Sequence, residues 1–262
     1  TGVPVPNKVL VVIATLSKRL LSSNASADYK FSLSELLDRY TLVTNGMTDK
    51  VYFDVVISVT DDCKHCNFIP LFNPWSDKGL MSYSSFSVAH YVFPSYRGYL
   101  HVHDDYFINM SHFKNFLWSA TTAWFNFNSS IETTEADKKW TWYERKVSKA
   151  ALSTKGRTNL DAAKTLTSEV QRASTAWRIP CSNQSLNIES KRYWCSRPGP
   201  SDGFFVGRDL AADFSTLLFH FSRNGLFLEL AVPLAAKLGI PQANTAYKNL
   251  CTDWTSLRGR PI

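Results

Sequence analysis

Lys8-Val9-Leu10-Val11-Val12-Ile13-Ala14 is the stretch whose reading decides the fold class. After Lys8 it has no polar interruption, and it is rich in β-branched side chains. A strand with one wet face alternates apolar and polar residues, because successive side chains point to opposite sides. An unbroken apolar run instead marks a central strand covered on both faces, the habit of parallel sheets layered between helices. A polar turn, Thr15-Leu16-Ser17-Lys18-Arg19, follows it. Next comes Ser32-Leu33-Ser34-Glu35-Leu36-Leu37-Asp38-Arg39-Tyr40, which fits a helix with a serine cap. Val51-Tyr52-Phe53-Asp54-Val55-Val56-Ile57-Ser58-Val59 then repeats the buried-strand pattern. Strand, helix, strand is the opening of an α/β layered domain.

Further along, residues 60–84 are rich in Asp, Asn, Pro, Gly and Ser and read mainly as loop. Gly98-Tyr99-Leu100-His101-Val102 is a third strand, ending in His103-Asp104-Asp105. A short helix is expected over Ser111 to Trp118, and a helical, charged segment over Lys138 to Ala173 with a break at Gly156. Residues 179–200 are polar and irregular. Asp202-Gly203-Phe204-Phe205-Val206-Gly207 reads as a short strand. Arg208 to Arg223 reads as an amphipathic helix with Leu210, Phe214, Leu217, Leu218 and Phe221 on one face. Pro is accepted in the first helical turn, so a last helix is expected to begin at Pro233, with Glu229 just before it. With no internal repeat or low-complexity tract, 1–262 reads as one domain.

The 262 residues are 44% apolar and 19% charged, which excludes a disordered chain. The net charge of +7 suits an anionic ligand. The positive residues are spread along the chain, which argues against a dedicated nucleic-acid stripe. No apolar run approaches the twenty or so residues of a membrane span. The chain begins at Thr1, and an upstream anchor or leader cut away is one expectation. Five cysteines include a Cys63-Lys64-His65-Cys66 pair, open to a zinc reading, and Cys181 with Cys195, open to a disulfide. Sequons stand at Asn24, Asn109, Asn128 and Asn183.

The chemistry is carried by carboxylates. A buried strand ending in Asp104-Asp105 delivers both to the C-terminal edge of a sheet, where open α/β sheets bind ligands. Carboxylate oxygens suit a hard cation, Mg²⁺ or Mn²⁺, which would bridge the phosphates of a nucleotide sugar. Neighbouring strand residues face opposite ways, so one Asp ligates directly: Asp105 first, with Asp104 touching the sugar or a water. The alternative is a solvated turn. Glu229 lies among Phe227, Leu228, Leu230, Ala231 and Val232. Partial burial would raise its pKa, as suits a general base. The alternative is a helix-cap or surface residue. Thr15, Lys18 and Arg19, after the first strand, and Arg97, before Gly98, are candidates to meet the nucleotide or its phosphates.

Together these residues resemble glycosyltransferases of the GT-A fold. Tyr96-Arg97-Gly98-Tyr99-Leu100-His101-Val102-His103-Asp104-Asp105 looks like the strand leading to that family's DxD-type motif, and the likeness is closest to exostosin-like and STELLO-like enzymes. Here His103 stands where an acidic residue is usual, while the last Asp, the usual metal ligand, is present as Asp105. The segment from Ser201-Asp202-Gly203 to Glu229-Leu230-Ala231-Val232-Pro233 resembles the acceptor side. The likeness runs from the first strand to Gly239, and Thr133 to Ser182 have no counterpart. It implies a Rossmann-type layered fold with a mixed central sheet flanked by helices. The nucleotide-sugar half would be about 1–110 and the acceptor half about 111–262, with a helical insert at 135–175. It implies a UDP-sugar donor, a glycan or glycoprotein acceptor, Asp105 and Asp104 on the metal, Glu229 as catalytic base and Asp202 holding acceptor or donor sugar. Trp140, Trp142 and Tyr143 would form an acceptor platform. Many such enzymes add a late His to the metal, but no His follows His220.

Two other functional classes fit parts of the pattern. A metal-dependent phosphoesterase or nuclease would use His103, Asp104 and Asp105 with Asp61, Asp62 and His65 as a metal cluster. A non-catalytic carbohydrate-binding protein would use the aromatics alone. Sequons and a trimmed start fit a Golgi or ER lumen; a missing anchor fits equally a soluble cytoplasmic enzyme encoded by a large DNA virus.

Overall fold

The computed structural model describes residues 7–15, 52–59, 69–70, 82–103, 116–126, 201–223, 226 and 228–247. Within them lie strands β1 (Lys8–Thr15), β2 (Tyr52–Val59) and β3 (Ile69–Pro70), helix α1 (Ser84–Val92), and strands β4 (Gly98–His103), β5 (Ala123–Phe125) and β6 (Gly203–Gly207). Helices α2 (Arg208–Arg223) and α3 (Leu228–Gly239), a 3-10 turn at Gln242–Asn244 and strand β7 (Thr245–Tyr247) complete them. The strands form one seven-stranded sheet in the order β3-β2-β1-β4-β6-β5-β7. The pairs β1–β2, β1–β4, β2–β3 and β5–β7 are parallel. β6 runs antiparallel to both its neighbours, β4 and β5. The sheet is thus mixed, with helices against it.

The β1 run behaves as its composition requires. Val9 to Thr15 are all buried, and β1 sits inside the sheet between β2 and β4. Strand order runs outward from β1 to β2 and β3 on one side, then resumes at β4 on the other. That reversal is a topological switch point, where strand C-termini open a crevice. The register sets Ala14 of β1 opposite His103 of β4.

One face of the sheet carries Leu10, Val12, Tyr99, Phe204, Val206 and Phe125, packed with residues of α1, α2 and α3 in a single cluster. Phe86 of α1 is central to it, with ring centroids 5.7 Å from Tyr99, 5.6 Å from Phe204 and 5.2 Å from Phe214. Phe214, Leu217, Leu218 and Phe221 of α2 face inward as the amphipathic pattern predicts. Each such burial stabilises by roughly 1.5–3 kcal/mol. The Ser87 hydroxyl donates to the Ser215 carbonyl at 2.9 Å, and the Tyr83 hydroxyl to that of Leu226 at 2.6 Å. Both bonds pin α1 to the C-terminal helices. On the other face Val9, Val11, Ile13, Leu100, Val102, Trp124 and Phe205 are buried as well.

Several expectations change. Helix α1 begins at Ser84, directly after a stretch that reads as loop, and β3 lies within that stretch. Phe86 and Ala89 bury against the sheet, so packing overrides the weak local helix signal of a serine-rich segment. Phe116 to Ser119 are not helical, although the pattern predicts a helix ending at Trp118. Trp118 instead stacks edge-on to Phe205 at 4.8 Å. β5 and β7, three residues each, carry no pattern of their own to read. The last helix begins at Leu228, five residues before Pro233, which therefore lies inside it. Pro233 has no N–H for the Glu229 carbonyl. Burial of Leu228, Ala231, Val232, Leu234, Ala235, Ala236 and Leu238 offsets that loss. The helix expected at 32–40 and the insert at 135–175 lie outside the described residues.

Candidate functional site

At the C-terminal edge of the parallel strands, β1 ends at Thr15 and β4 at His103. β6 runs the opposite way, so its N-terminal end returns to the same edge and brings Asp202 beside His103. The pairing continues past the strand: the His103 amide donates to the Asp202 carbonyl at 2.9 Å. Side chains meet as well, with His103 Nδ1 3.3 Å from Asp202 Oδ1. The other ring nitrogen, Nε2, contacts the hydroxyl of Ser82, which precedes α1. Ser82 is held at a second point by β4, since its carbonyl accepts from His101 Nε2 at 3.3 Å. The same carbonyl accepts from the Ser85 amide at 3.0 Å and the Ser85 hydroxyl at 2.6 Å. His101 and His103, two residues apart on one face of β4, thus anchor the start of α1 to this edge.

Glu229 lies in the first turn of α3. The residue keeps some contact with solvent, yet Oε2 is buried and has no hydrogen-bond partner among the described residues. Burial pushes its carboxyl well above the usual carboxylate range, and the charge of Asp202 pushes the same way, against a smaller opposing effect of its own amide. Asp202 and Glu229, 27 positions apart in sequence (229 − 202), are therefore electrostatic neighbours. His101 is fully buried and stacks on Phe204 with centroids 4.7 Å apart. Desolvation, then repulsion from His103, lowers its pKa from 6.5 to about 3, despite the opposing bond to Ser82. Its Nδ1 is buried with no partner among the described residues.

Of the residues singled out by sequence, Thr15 and Asp202 are described at this edge of the sheet, and Glu229, in the first turn of α3, feels the charge of Asp202. Thr15 is buried at the tip of β1. Arg97 does not join them. It precedes β4, its amide donates to the Lys8 carbonyl at 2.8 Å, and its carbonyl accepts from the Arg208 amide at 3.0 Å. That is the opposite edge of the sheet, about 20 Å away along β4. A phosphate contact by Arg97 is inconsistent with a site at the Asp202 edge, because strand direction separates the two. Arg19, Asp104 and Asp105 lie outside the described residues. Among the described residues no group of three or more His, Cys, Asp or Glu is arranged to hold a metal ion. No described helix is long and apolar enough to cross a membrane.

Ser82 and His101 are the residues that sequence reading missed. His101 and His103 at strand spacing, next to an acid pair, were a usable signal. Ser82 carried none, being some twenty residues from its partner in a serine-rich loop.

Compared with protein-family models, curated proteins and solved structures, the chain finds no match in any of the three.

Proposed function

We propose that the chain is a divalent-metal-dependent glycosyltransferase of GT-A type, moving a sugar from a UDP-sugar to a hydroxyl of a glycan or glycoprotein acceptor. One observation carries the reading. Asp202 of the acceptor-side segment sits against His103 at the end of β4, directly before Asp104 and Asp105 in sequence, and its charge acts on Glu229. This happens at the edge and switch point where open α/β sheets bind ligands. A mixed sheet with helices against it is the architecture the GT-A resemblance implies.

In this reading Asp105, with Asp104, holds Mn²⁺ or Mg²⁺, since carboxylate oxygens fit a hard cation. The metal, when bound, offsets charge developing on the departing diphosphate. Glu229 in its carboxylate form takes the proton of the acceptor hydroxyl. The acceptor oxygen bonds to the anomeric carbon as the bond to the diphosphate oxygen breaks, and UDP leaves with that electron pair. Attack opposite the leaving group inverts the anomeric centre. The charge of Asp202 raises the proton affinity of Glu229, making it a stronger base. Thr15 stands at the tip of β1 for contact with the nucleotide.

Isothermal titration of UDP in the presence of Mn²⁺ tests the site. Binding is expected, with at least tenfold weakening in Asp105→Ala. Absence of UDP binding, or equal binding by the variant, overturns the assignment. Nucleotide release across a panel of UDP- and GDP-sugars then identifies the donor.

A further inference from the structure

We infer that Ser82, His103 and Asp202 form a fixed polar relay that holds the Asp202 carboxylate at the β4–β6 edge, with Ser82 and His103 acting as positioning residues. The geometry sets the direction of each bond. His103 Nδ1 lies 3.3 Å from Asp202 Oδ1, and because a carboxylate oxygen only accepts, a proton shared between them belongs on Nδ1. In that tautomer Nε2 accepts from the Ser82 hydroxyl, its contact on the far side of the ring. Ser82 cannot drift, because its carbonyl is bound by His101 of the same strand and by two groups of Ser85. Asp202 cannot drift either, because its carbonyl is bound by the His103 amide at 2.9 Å.

Three elements thus meet at one imidazole: the start of α1, the end of β4 and the start of β6. Side chains of the relay are largely withdrawn from water, with 14% of His103 and 10% of Asp202 exposed. In such surroundings a hydrogen bond orients more firmly and a neighbouring charge acts more strongly. No proton has to travel along the chain of groups. Its output is the place of the Asp202 carboxylate at this edge; with Glu229 as the base of the glycosyltransferase reading, its action falls on the base and not on donor binding.

The kinetic part of this inference rests on the glycosyltransferase reading; the structural part does not. Nitrogen-15 NMR of histidine-labelled protein, with His103 assigned by its loss in His103→Gln, reads the tautomer directly. The Nδ1–H form is expected in the wild type, shifting toward Nε2–H in Asp202→Ala. An Nε2–H wild type, or a tautomer indifferent to Asp202→Ala, overturns the relay. Once a donor is identified, Ser82→Ala is expected to lower kcat about tenfold, part of the ~10²–10⁴-fold a general base supplies. KM for the donor should hold, and Ser82→Thr should restore turnover. A loss confined to KM, or full kcat in Ser82→Ala, overturns the positioning role. A wild type that transfers no sugar defeats the glycosyltransferase reading and leaves the tautomer result to decide the relay.

Discussion

Two buried ionisable side chains, Glu229 and His101, make the pH behaviour of this protein readable residue by residue. Glu229 has a folded-state pKa raised above its unfolded value. Between the ordinary carboxylate value and that raised one, the folded state binds more protons, so stability falls as pH rises through the window. Glu229→Gln removes the titration. At pH 8 it is expected to be more stable than the wild type in urea, by about 1.4 kcal/mol for each pH unit over which folding holds the carboxyl protonated. It should also lose turnover if Glu229 is the base, and full turnover in that variant would remove it from the mechanism. His101 works with the opposite sign. Its pKa falls from 6.5 to about 3, so between those values the unfolded chain binds the extra proton. Stability then drops as pH falls through that window, by up to about 1.4 kcal/mol per pH unit for one group. His101→Gln can still donate to the Ser82 carbonyl and is expected to flatten that slope in urea midpoints taken from pH 7 to pH 4. An unchanged slope would show that other groups govern acid stability.

At the level of elements, the junction between β6 and α2 is closed tightly by backbone atoms. Gly207 ends β6 opposite Gly98 of β4. A Cβ on Gly207 would lie 2.5 Å from the carbonyl oxygens of Ser119 and Ala120, backbone atoms that cannot rotate aside. The turn carrying them is tied to the junction, since the Gly207 amide donates to the Thr122 carbonyl at 2.8 Å and the Asp209 amide to that of Ala120 at 2.9 Å. Gly207→Ala is therefore expected to cost about 1–3 kcal/mol, the range for overpacking, as measured by urea unfolding. A neutral result would mean that residues 119–122 yield easily. Elements also show where local pattern was legible. The strands β1, β2 and β4 were readable from their continuous apolar runs and α2 from its amphipathic period, although Asp54 to Val56 of β2 are only half-buried. Helix α3 was legible only in part. Pro233 reads locally as a start, yet a long apolar face carries the helix back to Leu228 and places Glu229 in its first turn.

For the whole molecule, the amino-acid sequence by itself determined the layered α/β class, the central place of β1 and the apolar setting of Glu229. Continuous hydrophobic runs admit few arrangements other than strands covered on both sides. It also marked Asp202, Glu229 and the β4 terminus as separate points of interest. Only the tertiary structure decided which of these meet. Strand order and direction are set by long-range pairing, which no local window contains: β6 lies antiparallel between β4 and β5, and that reversal returns Asp202 to the His103 edge. The same fact of direction sends Arg97, six residues before His103 in sequence, to the far edge of the sheet. Ser82 reaches His103 because α1 packs its Phe86 and Ala89 into the sheet, an outcome of core packing and not of the serine's own neighbourhood.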